Sequence, residues 1–319
     1  MALAIKLHRW MRTLDFYRRA LGVVRRIRPA LIHCNDYNTM WVGVAARLTT
    51  GAAVVYDAHE LWADRNQRPE ARWWLLACES LFVRCAHETI TASPGYAEVM
   101  SHRYRTKPPR VIRNIPESDR LPDAPVPNGD PTAVYVGALT TGRGLEISIK
   151  ALAHLSKVRL RLVGPGHARY RADLADLAHA EGVAERVEFT GAVSPEELLS
   201  EIAGASVGLA LIQPVCLSYR MSLPNKLFEY VAAGLPVLGS DLPAIGGLVS
   251  EYGIGLLAQP EDPADVATKL REMIRPERNE AFRAAARRAA AELRWENESQ
   301  LLVDAYARAS DSAGRWPPR

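Results

Sequence analysis

The sequence predicts an α/β protein built from two parallel-sheet domains. Three observations predict it. After residue 130, six short apolar runs alternate with helical patterns, the spacing of strand–helix–strand units. The residues before 115 repeat that rhythm less completely. Between them runs Ile115–Pro131, with Pro116, Pro122, Pro125, Pro127 and Pro131, which can continue neither a helix nor a central strand.

Strands are expected in the second half at Ala133–Val136, Arg159–Val163, Val187–Phe189, Val207–Leu211, Pro236–Gly239 and Gly255–Leu257. Helices are expected at Leu145–His154, Ala168–Ala180, Pro195–Ala203, Leu223–Ala233 and Ala244–Val249. The strands read as continuous apolar runs, which suits a sheet covered on both faces. In the first half the strands fall at Ala30–His33, Ala53–Tyr56, Glu88–Thr91 and Arg110–Ile112, and the helices at Thr39–Thr49, Glu70–Arg84 and Gly95–His102. The Ala-, Arg- and Glu-rich segment Pro263–Ser310 predicts two or three further helices, and Gly314–Arg319 a frayed end. The resulting division is 1–121, 122–295, and a closing helix over 296–319 that returns to the first domain.

At 319 residues the chain is long enough for two cores. It is 48% hydrophobic and 24% charged, with a net charge of +4, ordinary values that point to no nucleic-acid partner. No run of eighteen apolar residues is present, and MALAIKLHRWMR lacks the apolar centre of a secretory signal, so a cytoplasmic protein is expected. Cys34, Cys78, Cys85 and Cys216 form no C-x-x-C pair and have no histidine at zinc-ligand spacing, so they read as small core residues and no metal is expected.

Ligands of parallel sheets bind in the loops at the carboxyl ends of the strands. One helix entrance there is Ser222-Leu-Pro-Asn-Lys-Leu-Phe-Glu. Ser222 reads as its N-cap and Pro224 as part of its first turn, with Gly234 as the stop. Lys226 falls where the helix dipole disfavours a cation, a conflict that a bound phosphate removes; a solvent-facing lysine is equally compatible. Glu229 sits among Leu227, Phe228, Tyr230 and Val231. A buried carboxylate there needs donors, and a ribose diol offers two; an ion pair or an exposed helix position are the alternatives. After the strand ending at Val136, Gly137-Ala-Leu-Thr-Thr-Gly-Arg-Gly lets backbone approach a ligand and sets Arg143 to fork two phosphate oxygens. Gly164-Pro-Gly166 is a similar turn. In the first half, Asp57, His59 and Glu60 close one strand and His33-Cys-Asn-Asp36 another; a lone histidine in such a place is more often structural.

Together these motifs resemble glycosyltransferase family 4, retaining enzymes with the GT-B fold, in which two Rossmann-like domains face each other across a cleft. The resemblance runs from about Pro29 to Arg308 and includes Tyr56–Leu61, Arg113–Pro116, Val134–Leu145, Leu162–Gly166, Val187–Pro195, Pro224–Pro236, Ser240–Pro243 and Val249–Leu257. It implies transfer of a sugar from a nucleotide-sugar donor to a glycan, lipid-linked or small-molecule acceptor, without metal or cofactor. Glu229 matches the second glutamate of the family's Glu-x7-Glu motif, a ribose ligand. Arg143 matches a diphosphate-binding basic residue, and His59 a histidine near the transferred sugar. Gly137 and Gly164 match loops lining the nucleotide. His59, Arg143 and Lys226 are thereby the catalytic candidates, and Gly137, Arg143, Gly164, Met221, Ser222, Lys226 and Glu229 the donor-binding ones.

The sequence departs from the family pattern in three ways. Met221 stands where the motif's first glutamate is expected, and Ala138 where an arginine is. The upstream strands and glycine loop of the first domain are missing, so that domain is expected to be incomplete. These departures motivate an alternative, a non-catalytic nucleotide-binding or activator subunit. An epimerase of the same fold lacks an identifiable proton-abstracting carboxylate.

Residues 1–28 carry eight Lys or Arg (Lys6, Arg9, Arg12, Arg18, Arg19, Arg25, Arg26 and Arg28) against a single acid, Asp15. Leu3, Leu7, Trp10, Leu14 and Tyr17 recur at helical spacing. The pattern suits a helix packed on a sheet with its arginines in water, and also one lying on the anionic inner face of a membrane.

Overall fold

The computed structural model describes residues 2–66, 70–117 and 129–314. Most of the proline-rich stretch and the expected frayed end lie outside them. The chain divides into two compact units, Met1–Arg113 with Ser299–Arg319, and Asn114–Glu298.

The first unit opens with α1 (Ala2–Ile27), followed by β1 (Leu31–Asn35), α2 (Asp36–Thr50), β2 (Ala53–Ala58), α3 (Arg72–Cys85), β3 (Glu88–Thr91), α4 (Pro94–Tyr104) and β4 (Arg110–Val111). Its four strands are parallel and lie in chain order. The period-2 alternation of β2 separates two faces. Val54 lies against Gly43 of α2, close enough that a Cβ on Gly43 would stand 3.2 Å from it. Ala53 and Val55 point the other way and pack with Ile90, Ile112, Ala305 and Ala309.

The second unit contains β5 (Thr132–Val136), α5 (Leu145–Leu152), β6 (Arg159–Val163), α6 (Ala168–Ala180), β7 (Val187–Gly191), α7 (Pro195–Ala203), β8 (Val207–Ala210), α8 (Leu217–Arg220), α9 (Asn225–Ala232), β9 (Val237–Ser240), α10 (Pro243–Tyr252), β10 (Gly255–Ala258), α11 (Pro263–Met273) and α12 (Pro276–Glu292). The last helix, α13 (Trp295–Ser312), belongs from Ser299 onward to the first unit and supplies Ala305 and Ala309 to its core. The second sheet is wholly parallel, in the order β10-β9-β8-β5-β6-β7. Strand order therefore reverses between β5 and β8. That point is where a doubly wound sheet opens a crevice at its carboxyl edge. One apolar cluster, with Leu227, Phe228 and Tyr230, fills one face of this sheet, and another, with Leu145, Ile149 and Leu174, fills the other.

Candidate functional site

The loops leaving β5 and β8 flank the reversal point. The loop after β5 is locked by contacts between backbones. Gly137 donates its N–H to Val163 O at 2.9 Å, and Leu139 pairs with Gly166 across the neighbouring loop. Two glycines are demanded here by the protein's own chain. Gly164 has φ 143°, and a Cβ on it would stand 2.1 Å from the Gly137 carbonyl oxygen. Gly144 has φ 74°, and a Cβ on it would stand 2.2 Å from the Leu211 carbonyl oxygen. Gly144 begins α5, so its close approach to β8 fixes where Arg143, one residue earlier, leaves the backbone.

The guanidinium carbon of Arg143 sits 4.5 Å from the ring centre of Tyr219 on α8, in the loop after β8. An arginine over an aromatic face is held by the ring's quadrupole while its donors stay available at the edge. Lys226, the second residue of α9, is buried, with Nζ 3.6 Å from the ring centre of Tyr135 on β5. A Cβ on Gly137 would stand 3.4 Å from that nitrogen. Tyr135 in turn donates its hydroxyl to Ala138 O at 2.9 Å. The aromatic rings of Tyr135 and Tyr219 thus seat two cations at the crevice.

Tyr230 fixes the rotation of α9 that aims Lys226. Its ring lies against Gly208 of β8, where any Cβ would overlap it. Its hydroxyl accepts from Val136 N–H at 3.0 Å and lies within hydrogen-bonding reach of Val134 O and Leu209 O. With Tyr230 pinned inward, Lys226 and Glu229, three residues apart, share one turn of the helix and act on each other's charge. Burial pushes the Lys226 ammonium well below the usual lysine range. The charge of Arg143 pushes the same way, and Glu229 opposes both. Burial raises the half-buried Glu229 carboxyl, and Lys226 opposes that rise. Beyond Glu229, nothing named here offsets the charge that Lys226 and Arg143 bring together.

Ser222 does not cap this helix. Its hydroxyl donates to Tyr219 O at 2.9 Å and closes the turn after α8, while α9 starts three residues later at Asn225. The reason is Pro224: the residue before a proline is driven out of the helical region, so Leu223 cannot open a helix. Met221 ends α8, its N–H bonded to Leu217 O at 3.1 Å.

In the first unit, His59 follows β2 directly. Its Nε2 lies 3.0 Å from Asp57 Oδ2, and His33 Nε2 lies 3.1 Å from the same oxygen. His59 N–H donates to Asp36 Oδ1 at 3.1 Å, with Asp36 in the left-handed region at φ 59°. Glu60 pairs with Arg65. Burial works to raise the Asp57 carboxyl, but the hydrogen bonds from His33 and His59 hold it below the usual carboxylate range. The bond to Asp57 raises His59 against the opposing effect of burial. Tyr306 of α13 completes the group, its hydroxyl 3.0 Å from His33 Nδ1.

A cavity of about 610 Å³, lined by Pro131, Leu155, Lys157, Val158 and Arg271 among others, opens at the amino ends of β5 and β6. It is at the wrong edge of the sheet to meet Arg143 or Lys226. Among the described residues, no group of three or more His, Cys, Asp or Glu is placed to hold a metal ion, and no helix is long and apolar enough to cross a membrane.

Two family models divide the chain between them. Residues 3–114 match the glycosyl transferase 4-like domain, and residues 130–276 match glycosyl transferases group 1. This chain is a glycosyltransferase of the family-4 type. The glycosyltransferase is 24% identical to a glycogen synthase of Mycobacterium tuberculosis over 322 residues, covering 94% of this chain and 74% of that one. Its fold is that of sucrose-phosphate synthase from Thermosynechococcus elongatus (TM-score 0.78, 21% identity, 91% of this chain and 76% of that one). It is also that of Anabaena HepE, solved in complex with UDP (TM-score 0.76, 18% identity, 92% and 82%). The two-sheet α/β expectation and the GT-B assignment therefore hold.

Sequence motifs led to Arg143, Lys226, Glu229 and His59. They missed Tyr135, Tyr219, Tyr230 and Tyr306. The first three belong to the same strand, loop and helix as the motif residues, so an aromatic at each position was the available signal. Tyr306 lies 273 residues from His33 and gives no local sign.

Proposed function

We propose that the glycosyltransferase moves a sugar from a nucleoside diphosphate sugar to an acceptor hydroxyl, with retention at the anomeric carbon. The observation that carries this reading is the pair of cations, Arg143 on Tyr219 and Lys226 on Tyr135, on either side of the strand-order reversal. When the anomeric carbon–oxygen bond breaks, the departing diphosphate takes the electron pair. Preorganised cations in a partly dry site stabilise that charge without reorganising. The amino end of α9 adds its dipole and free N–H groups. Glu229, one turn along α9, takes the ribose diol, and Gly137 and Gly164 shape the loops beside the nucleotide. The family resemblance assigns His59 a role at the transferred sugar. The two cations serve in place of a metal. Retention is supported by the family resemblance alone.

The test uses a panel of labelled UDP- and GDP-sugars with glycan, lipid-linked and small-molecule acceptors. Transfer by the wild type that is abolished in Arg143→Ala and unaffected by EDTA supports the reading. Glu229→Ala is expected to weaken UDP or GDP binding in calorimetry about tenfold or more, the loss of hydrogen bonds to a charged group. Unchanged affinity removes Glu229 from the donor site, and absent turnover across the panel favours a non-catalytic subunit. Proton NMR of the product anomer tests retention.

A second observation supports a membrane-bound acceptor. On α1, Arg12, Arg19 and Arg26 recur every seven residues and are exposed. Beside them Phe16, Val23 and Ile27 are 49%, 43% and 63% exposed. An apolar row flanked by a basic row is the pattern of a helix resting on an anionic leaflet, here the inner face of the cell membrane. Flotation with vesicles containing phosphatidylglycerol, lost in the triple Arg→Glu variant and at high salt, is the expected result; equal flotation with neutral vesicles removes the electrostatic part.

A further inference from the structure

Two opposite charges at the entrance of α5 are held apart. Arg143 stands one residue before Gly144, the cap of the helix, and Glu146 lies in its first turn. Glu146 is the acid nearest to Arg143 in the sequence, three residues away. Long side chains at that spacing on a helical turn reach one another. Among the described residues the two nonetheless form no ion pair. Arg143 lies over the ring of Tyr219, in the loop after β8. Glu146 Oε1 accepts a hydrogen bond of 2.5 Å from the hydroxyl of Tyr170, the third residue of α6. In the sheet, β8 and β6 flank β5 on opposite sides. Tyrosines from both sides therefore draw the two charges apart.

The backbone around them is fixed on both flanks. Leu139 N–H donates to Pro165 O at 2.8 Å, and a Cβ on Gly166 would stand 2.8 Å from Leu139 Cβ, so the loops after β5 and β6 are tied together. On the other side, Gln213 N–H donates to Gly142 O at 3.0 Å, and a Cβ on Gly142 would stand 3.2 Å from the Tyr219 ring. What remains to be decided is where the side chains of Arg143 and Glu146 go. Burial and the Glu146 carboxylate both push the Tyr170 hydroxyl above the usual tyrosine range. Tyr170 therefore keeps its proton and donates it to the carboxylate. The amino end of α5 adds a dipole that also favours Glu146 in this place.

We propose that Tyr170 is a positioning residue that holds Glu146 away from Arg143, so that the guanidinium meets the donor diphosphate without an internal carboxylate competing for it. The part played by the diphosphate rests on the reading of Arg143 given above; the separation of the two charges does not. Without the Tyr170 hydroxyl, Glu146 loses its donor, and the guanidinium three residues back can replace it. The diphosphate would then have to break an ion pair before it could bind. Tyr219 and Tyr170 thus act as a pair, one keeping the cation by its ring and the other keeping the anion by its hydroxyl.

The experiment is a double-mutant cycle of Tyr170→Phe and Glu146→Gln, read by calorimetry with UDP and GDP and by nitrogen-15 NMR of the Arg143 guanidinium, assigned with Arg143→Lys. Tyr170→Phe keeps the ring and removes only the hydroxyl. It is expected to weaken nucleotide binding about twofold to fivefold, the strength of a partly exposed ion pair that the ligand must now break. Glu146→Gln is expected to bind as tightly as the wild type or more so. In the Glu146→Gln background, Tyr170→Phe is expected to leave binding unchanged, because no carboxylate is left to compete. The Arg143 Nε–H signal should shift in Tyr170→Phe and return to its wild-type position in the double variant. Equal losses of binding from Tyr170→Phe with and without Glu146 would mean that the hydroxyl merely braces α6 against α5, and the proposal is overturned. Unchanged binding in Tyr170→Phe, or an Arg143 signal that stays in place there, overturns it as well. If the wild type binds neither UDP nor GDP, the diphosphate reading fails, while the Arg143 signal still decides whether Tyr170 keeps the charges apart.

Discussion

The ammonium of Lys226 stands 3.6 Å from the centre of the Tyr135 ring, beneath the turn that begins at Gly137. The ring face favours the charged form, but burial and the Arg143 charge act against it and win, so the group binds its proton less tightly than in the unfolded chain. The sign follows directly. Between its folded and its unfolded pKa the unfolded state holds the extra proton, so this group makes stability rise with pH across that interval. A bound diphosphate reverses the field and raises the Lys226 pKa. UDP or GDP binding above the unliganded Lys226 pKa is therefore expected to take up protons. Calorimetry in buffers of different ionisation enthalpy measures the uptake, and Lys226→Met should abolish it while weakening binding about tenfold.

Tyr219 is expected to matter through its ring and not its hydroxyl. A cation over an exposed aromatic face gains about 1 kcal/mol, roughly fivefold in an equilibrium constant. Tyr219→Ala should therefore weaken nucleotide binding by about that factor, whereas Tyr219→Phe should bind as the wild type does. A loss of equal size in both variants would mean that the ring does not hold Arg143.

The glycine at 164 is required by packing inside the protein. Gly164→Ala places a methyl group 2.1 Å from the Gly137 carbonyl oxygen at a φ of 143° that alanine avoids. The expected cost is about 2–3 kcal/mol, seen as a lower urea midpoint without added nucleotide. If stability is unchanged but nucleotide binding is lost, the glycine serves the ligand alone.

Tyr230→Phe should destabilise by about 1–3 kcal/mol, because the Val136 N–H, now without its acceptor, stays buried. It should also weaken donor binding, since the same hydroxyl ties α9 to β5 and β8 and sets the direction of Lys226. Chemical denaturation and nucleotide titration on one preparation test both parts.

Much of this was legible in the sequence. Arg159–Val163, Ala168–Ala180, Pro195–Ala203 and Glu88–Thr91 fall where the apolar periods and the cap prolines put them. The parallel order β10-β9-β8-β5-β6-β7 was not legible, because pairing is decided by crossovers and not by any strand's own pattern. Lys226 and Glu229 were noticed because a charged group inside an apolar helix is costly and conspicuous. Tyr219 and Tyr306 were not, because tyrosines suit many environments and the partners of these two, Arg143 and His33, lie 76 and 273 residues away. Ser222 was misread because a cap residue counts only where the following backbone can turn helical, and Pro224 forbids that at Leu223.

The last helix closes the first sheet, since Ala305 and Ala309 lie in the same core as Ala53 and Val55. On the ribosome, Asn114–Glu298 emerges as one uninterrupted piece and has all its strands before α13 is made. The sheet of residues 1–113 is covered only after α13 has emerged. A premature stop codon just before residue 299 would therefore injure a unit made long before it, leaving Tyr306 absent and an apolar sheet face open to chaperones and proteases.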